Sequence, residues 1–305
     1  MDCYRFTYSI YHRPFRRSLI TSHGEWKVRS GIIMQLTDER GRSQSGEIAP
    51  IPWFGSESLE SAIEWCQHIG DTITTSQIYG IPDRLPACQF GFGSALTAFN
   101  PALDLPCHTN LDISALLPSG AAAIDCLPAL LSQGYATFKW KIGVLPIAQE
   151  LAIWAQLTMA LPPGVKLRLD ANGGLNYAQA EQWLSAGSCQ PQIEFIEQPL
   201  APNLLAETID LAQKYPLPIA LDESVATFDR IQATYASGWR GIYVIKPGIA
   251  GFPWRLAEFI QRHQLDVVFS SVLETNVGKT AALQLASSLN LTRSMGFGVD
   301  DWFEE

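Results

Sequence analysis

The sequence predicts an α/β protein, a (β/α)8-type barrel with an N-terminal α+β capping domain, and three observations lead there. From Pro106 onward, short apolar runs alternate with helical periodicity at about 25 residues per unit, the rhythm of parallel strands joined by helices. The first hundred residues lack that rhythm and show strand-like alternation followed by a helix. Finally, five ionisable residues, Lys141, Asp170, Glu197, Asp222 and Lys246, sit at the ends of the apolar runs FKWKIG, LRLDAN, EFIEQP, IALDES and YVIKP. A charge at the end of a buried strand is costly unless paired or metal-bound, and a parallel barrel opens all such ends on one face.

In the cap, YRFTYSIY and VRSGIIMQL alternate as strands do, with a polar and basic stretch, 13–27, between them. DERG at 38–41 marks a turn, a short strand follows at 45–48, and helical spacing covers 59–69. The boundary is placed between a cap at 1–104, with 21–27 as a lid loop, and a barrel at 105–305 whose tail packs back on the cap through Trp302 and Phe303. Barrel strands are expected at 108–113, 137–142, 166–170, 194–197, 219–222, 242–246, 267–270 and 295–299. Helices are expected at 122–133, 147–160, 178–186, 204–215, 229–237, 254–262 and 280–289. An open doubly wound sheet is the competing architecture, and no GxGxxG fingerprint supports its dinucleotide form. Strand alternation puts Lys139 with Lys141, Arg168 with Asp170, Phe195 with Glu197 and Val244 with Lys246 on one face, and apolar Trp140, Leu167, Leu169 and Ile196 on the other.

The net charge of −9 argues against a nucleic-acid surface, and no stretch approaches the roughly 18 to 20 apolar residues of a membrane span. The N-terminal segment lacks the apolar core of an export signal, and six scattered cysteines form no CxxC pair. Buried free thiols in the reducing cytoplasm are the expectation.

Three carboxylates from successive strands about 4.8 Å apart can surround one cation, and oxygen ligands favour Mg2+ or Mn2+. The competing reading is that each acid caps a helix or pairs with a lysine. Lys141 and Lys246, on the second and sixth strands, would face each other across the opening. A lysine is a base only when neutral, against an ordinary pKa of about 10.4, and a cation at roughly 4 Å is worth up to about 4 kcal/mol at a dielectric near 20. Lys139 either adds to that push or pairs with a metal-binding carboxylate. Together these groups suit proton abstraction beside a substrate carboxylate.

KxK at Lys139–Lys141, LDAN from Leu169 to Asn172, EQP from Glu197 to Pro199, DES from Asp222 to Ser224 and IKP from Ile245 to Pro247 resemble the muconate-lactonising-enzyme branch of the enolase superfamily. The short chain, Arg168 before LDAN and the serine-bearing FSSVLETNVG are most similar to the dehydratases of that branch. The resemblance implies Mg2+ or Mn2+ on Asp170, Glu197 and Asp222, and syn loss of water from a small dicarboxylate in quinone biosynthesis. Lys141 would be the base and Lys246 the charged group opposite. Asn172, Ser270 and Arg168 are candidate substrate contacts, with structural support the leading role for Arg168. Arg13, Arg16, Arg17, Lys27 and Arg29 near the lid either form a solvated basic face, the leading reading, or add attraction for a dianionic substrate. The alternatives are an N-acylamino-acid or dipeptide racemase with the same lysine pair, and a non-catalytic barrel whose cap binds a partner.

Overall fold

A computed structural model describes residues 2–21, 24–99, 111–299 and 302–303. Near the N-terminus, β1 (Cys3–Thr21), β2 (Gly24–Thr37), β3 (Ser43–Ile48) and β4 (Thr72–Thr74) form an antiparallel sheet in the order β3-β2-β1-β4. Helix α1 (Leu59–Ile69) has the predicted bounds and is capped by Ser58, whose hydroxyl accepts from the Ser61 amide. The stretch read as a basic lid loop is instead strand on both sides of residues 22–23, which lie outside the described residues. Its anchor is aromatic. Buried Phe15 meets Trp26 at 5.2 Å and stacks on Phe303 at 5.0 Å, so the tail reaches the cap.

Two helices escaped the sequence reading, α2 (Thr75–Tyr79) and α3 (Pro86–Thr97). Ten of the twelve α3 residues are buried, so no polar face marks its period. It lies between the cap sheet and the barrel, and approaches β3 so closely that a Cβ on Gly46 would stand 2.0 Å from the Gly91 carbonyl oxygen. Glu57 caps its start by accepting from the amides of Ala87 at 3.0 Å and Cys88 at 2.8 Å.

The barrel follows as β5 (Ile113–Leu116), α4 (Ala122–Ser132), β6 (Thr137–Lys141), α5 (Ile147–Ala160), β7 (Lys166–Asp170), α6 (Tyr177–Gly187), β8 (Ile193–Glu197) and α7 (Leu205–Lys214). It continues through β9 (Ile219–Leu221), α8 (Phe228–Ala236), β10 (Ile242–Ile245), α9 (Pro253–His263), β11 (Val267–Phe269), α10 (Asn276–Ser288) and β12 (Met295–Gly298). The strands run in the order β11-β10-β9-β8-β7-β6-β5-β12, and a parallel bridge between Ser270 and Gly296 joins the two ends. Phe195, Ala220, Ile242, Val244 and Val268 fill the interior, while Trp140, Leu167, Leu169 and Ile196 are buried in the core cluster that includes the surrounding helices. This is the face assignment expected from alternation.

The first strand begins at Ile113, where the sequence reading ended it; residues 108–110 lie outside the described set. The eighth strand is glycine-broken for a steric reason: a Cβ on Gly296 would meet the Ser270 hydroxyl at 2.8 Å, and one on Gly298 the Ser114 carbonyl at 2.4 Å. The five described cysteines are free, but only Cys66 and Cys88 are buried, whereas Cys3, Cys126 and Cys189 are exposed. Among the described residues no helix is long and apolar enough to cross a membrane.

Candidate active site

Strand register delivers the charged residues to one end of the barrel. Lys141 pairs with Asp170 and Asp170 with Glu197 across β6, β7 and β8, while Asp222 and Lys246 immediately follow β9 and β10. The order around the mouth is therefore Lys141, Asp170, Glu197, Asp222, Lys246. Strands β6 and β10 are four places apart in a ring of eight, which sets the two lysines on opposite sides.

Lys139, one step deeper, donates to Asp170 Oδ2 and Glu197 Oε1, both at 2.7 Å. Lys246 donates to Asp222 Oδ1, and its Nζ stands 4.1 Å from the centroid of the Phe54 ring. Asn172 Nδ2 spans Asp170 Oδ2 at 3.3 Å and Glu223 Oε1 at 3.2 Å, while the Asn172 backbone amide donates to Asp170 Oδ1 at 3.0 Å. Ser270 is partly exposed at the closing seam. Arg168 turns the other way: its guanidinium binds Glu194 at 2.7 Å and the Ser294 carbonyl at 2.8 Å, and lies over the Phe195 ring. The structure thus gathers the three acids, three lysines and Asn172, and keeps Arg168 beneath them.

Four buried or mostly buried carboxylates, Asp170, Glu197, Asp222 and Glu223, face three lysines, and the electrostatics show the excess. Burial, then the charge of Asp170, pushes the Glu197 carboxyl up to about 7 against the pull of Lys139. Burial pushes Asp222 up to about 6, with Lys246 opposing and Glu223 adding to the rise. Glu223 is also raised, by burial and by Asp170, and its Oε2 is buried without a hydrogen-bond partner. Burial alone would lower the Lys139 ammonium, but Asp170, Glu197 and Asp222 outweigh it and hold it well above its usual range.

Among the described residues no three acid, histidine or cysteine side chains already converge as a ready ligand set; Lys139 lies between two of the acids instead. The donor set nonetheless fits a hard divalent cation: all oxygen, on adjacent strands, and carrying more negative charge than its lysines neutralise.

Residues beyond those singled out in the sequence fix this geometry. Gln198 is fully buried at φ +38°, and its side-chain oxygen accepts from the amides of Asp222 at 3.0 Å and Ser224 at 3.1 Å. Its Nε2 donates to the Leu200 carbonyl and the Ser224 hydroxyl, both at 2.8 Å, so all four bonds of the amide are used. Glu150 accepts from the amides of Gly143, Val144 and Leu145, the loop just beyond Lys141. Gln198 and Glu223 lie inside the EQP and DES motifs; Phe54 and Glu150 carry no signal in the sequence.

Arg29 is not on a solvated basic face: it is 1 % exposed and donates to the carbonyls of Val272 at 3.0 Å and Pro50 at 3.0 Å. Beside it Glu47, reached by Tyr11 at 2.5 Å, accepts from Thr275 and Gly278 at the start of α10. The cap is thereby latched to the segment following β11.

Fold and site define an enzyme of the enolase type, and family comparison agrees: residues 123–304 match the enolase C-terminal domain-like family, and residues 3–99 the MenC N-terminal domain. The chain belongs to the o-succinylbenzoate synthase family within that superfamily. It is 40% identical to o-succinylbenzoate synthase of Thermosynechococcus vestitus, covering 98% of this chain and 93% of the relative. A crystal structure of o-succinylbenzoate synthase from Thermosynechococcus elongatus, complexed with Mg in the active site, superposes with TM-score 0.91, at 40% identity over 98% of this chain and 94% of the other. The synthase of Yersinia pseudotuberculosis is 31% identical over 93% of this chain and 85% of its own length. A dipeptide epimerase from Enterococcus faecalis, 20% identical, covers all of this chain and 92% of its own with TM-score 0.84, a likeness of fold alone.

Proposed function

We propose that this chain dehydrates 2-succinyl-6-hydroxy-2,4-cyclohexadiene-1-carboxylate to o-succinylbenzoate in the cytoplasm, a hydro-lyase step in menaquinone or phylloquinone biosynthesis. The observation that carries the reading is 40% identity along 98% of the chain to a synthase, in a molecule that also sets Lys141 and Lys246 on opposite sides of three acids.

Asp170, Glu197 and Asp222 would hold Mg2+ or Mn2+, and the Mg-bound active site of the Thermosynechococcus synthase supports that choice. When bound, the cation supplies Lewis-acid charge against the substrate carboxylate and the negative charge that develops there. Lys141, as the free amine, takes the proton α to that carboxylate. The resulting ammonium returns a proton to the hydroxyl leaving from the same face, so a C–H and a C–O bond break, a C=C bond forms, and water departs. Lys246 stays charged and faces the other side of the ring, where its charge opposes the negative charge delocalised in the π system. Lys139 holds Asp170 and Glu197 in place. Asn172 and Ser270 would hydrogen-bond the substrate from the rim, and Arg168 would support the strand that carries Asp170.

The test supplies the cyclohexadiene carboxylate with Mg2+ and follows aromatisation by ultraviolet absorbance. Turnover in the parent protein, lost in Lys141→Ala with folding and metal binding retained, is the expected result. Rapid α-deuteration of both enantiomers of an N-acylamino acid, with no dehydration, would make the protein a racemase. Function untouched by Lys141→Ala would leave a non-catalytic barrel.

A further inference from the structure

We propose that Phe54 is a positioning residue: from the cap, its ring holds the Lys246 ammonium, still charged, on the far side of the barrel mouth. The proposal rests on the reading of Lys246 as the charged partner of Lys141.

The geometry begins in a single 3-10 turn, Pro52–Phe54, that the cap lays over the mouth. The Phe54 amide donates to the Ile51 carbonyl at 2.9 Å, and the Gly55 amide to the Pro52 carbonyl at 3.0 Å. Gly55 ends the turn at φ +105°, where a side chain would be strained, and the Ser56 hydroxyl accepts from the Ile51 amide at 2.7 Å. Trp53 packs edge-on against Trp26 of β2 at 4.8 Å. The ring is therefore presented by a fixed piece of backbone.

Lys246 Nζ stands 4.1 Å from the Phe54 centroid, within the roughly 6 Å over which a cation is drawn to a ring face. The lysine is buried, so this attraction acts with little screening by water. An ammonium carries three donors, and Asp222 takes one. A carboxylate in the place of Phe54 would take another and cancel the charge. A ring face holds the charge without neutralising it, and leaves the remaining donors for the mouth.

A substrate ring that is losing a proton presents a face richer in electrons than benzene, so an ammonium that Phe54 keeps in place throughout is drawn more strongly to the substrate as charge develops. An interaction that strengthens only as charge develops is the kind that raises kcat.

The experiment replaces Phe54 in the full-length protein with mono-, di- and trifluorophenylalanine, which keep the shape of the ring and progressively remove its π charge. We expect kcat for dehydration to fall in steps, about tenfold at the trifluoro ring, which is about 1.4 kcal/mol, with KM and the thermal midpoint nearly constant. A flat kcat, or a rise in KM alone, would show a mere pocket wall and overturn the proposal. A second readout is independent of turnover: the Lys246 Cε protons should be shifted upfield by the ring current in the parent and lose that shift in Phe54→Leu. A missing shift in the parent overturns the proposal. A present shift in a protein that does not aromatise the substrate leaves the contact standing and removes the functional reading.

Discussion

Lys139→Met tests the charge balance of the site most directly, because it keeps side-chain length and deletes one ammonium. That ammonium makes two 2.7 Å ion-pair contacts, to Asp170 and Glu197, whose side chains are 8% and 2% exposed. Removing one member of a buried pair costs about 3–5 kcal/mol, and because the Lys139 side chain is itself 19% exposed, the low end, about 3 kcal/mol, is expected. The loss must depend on pH. Glu197 has its folded value raised from 4.5 to about 7, so its contribution to stability is full below about 4.5 and is lost as pH rises through about 7. Deleting Lys139 removes the charge that opposes this rise. The variant therefore suffers little at pH 5, where the acids take up protons, and most at pH 8. Metal-free urea unfolding followed by circular dichroism reads the difference, as a midpoint shift of roughly 1 M at pH 8 for an m-value of about 3 kcal/mol/M. A loss below about 1 kcal/mol at pH 8, or an equal loss at both pH values, would refute the charge accounting.

Three further outcomes are expected. Asp222→Asn should weaken Mg2+ binding at least roughly tenfold by calorimetry while the fold persists, and unchanged affinity would remove Asp222 from the ligand set. Glu47→Ala strands the donors of Tyr11, Thr275 and Gly278 and should cost about 2–4 kcal/mol in urea unfolding, with Glu47→Gln recovering part of it. Gly298→Ala drives a methyl group to 2.4 Å from the Ser114 carbonyl and should cost about 1–3 kcal/mol, read as a lower thermal midpoint.

The barrel was legible because its strands and helices obey periodicities that single residues reveal. Helix α5 and strand β7 have the predicted bounds, and the inward and outward faces of β6 to β8 separate as alternation requires. The acids and lysines stood out because charge at the end of a buried strand breaks the pattern. What stayed hidden obeys no local pattern. Helix α3 is apolar on nearly every side, and strand β1 runs through the arginines of 13–17 because only Phe15 needs to be buried there. Arg29 looked like one more surface cation, yet its hydrogen bonds go to carbonyls of residues 50 and 272. Partnerships across hundreds of residues leave no trace in spacing. The same holds for Phe54, an ordinary aromatic until the fold brings Lys246 beneath it.

Helix α3 ends the N-terminal stretch, yet its Phe90 belongs to the barrel's core cluster and its Phe92 to the cap's, which also takes in Ile249, Phe252 and Val272. The two halves are thus not separable goods. A graft joining a foreign N-terminal half to this C-terminal half at residue 99 would press one lineage's phenylalanines into sockets shaped by another, and expressing either half alone would bare those rings to water. Exchanging rim side chains in place would leave that shared interior whole, whereas transplanting a whole half would tear it.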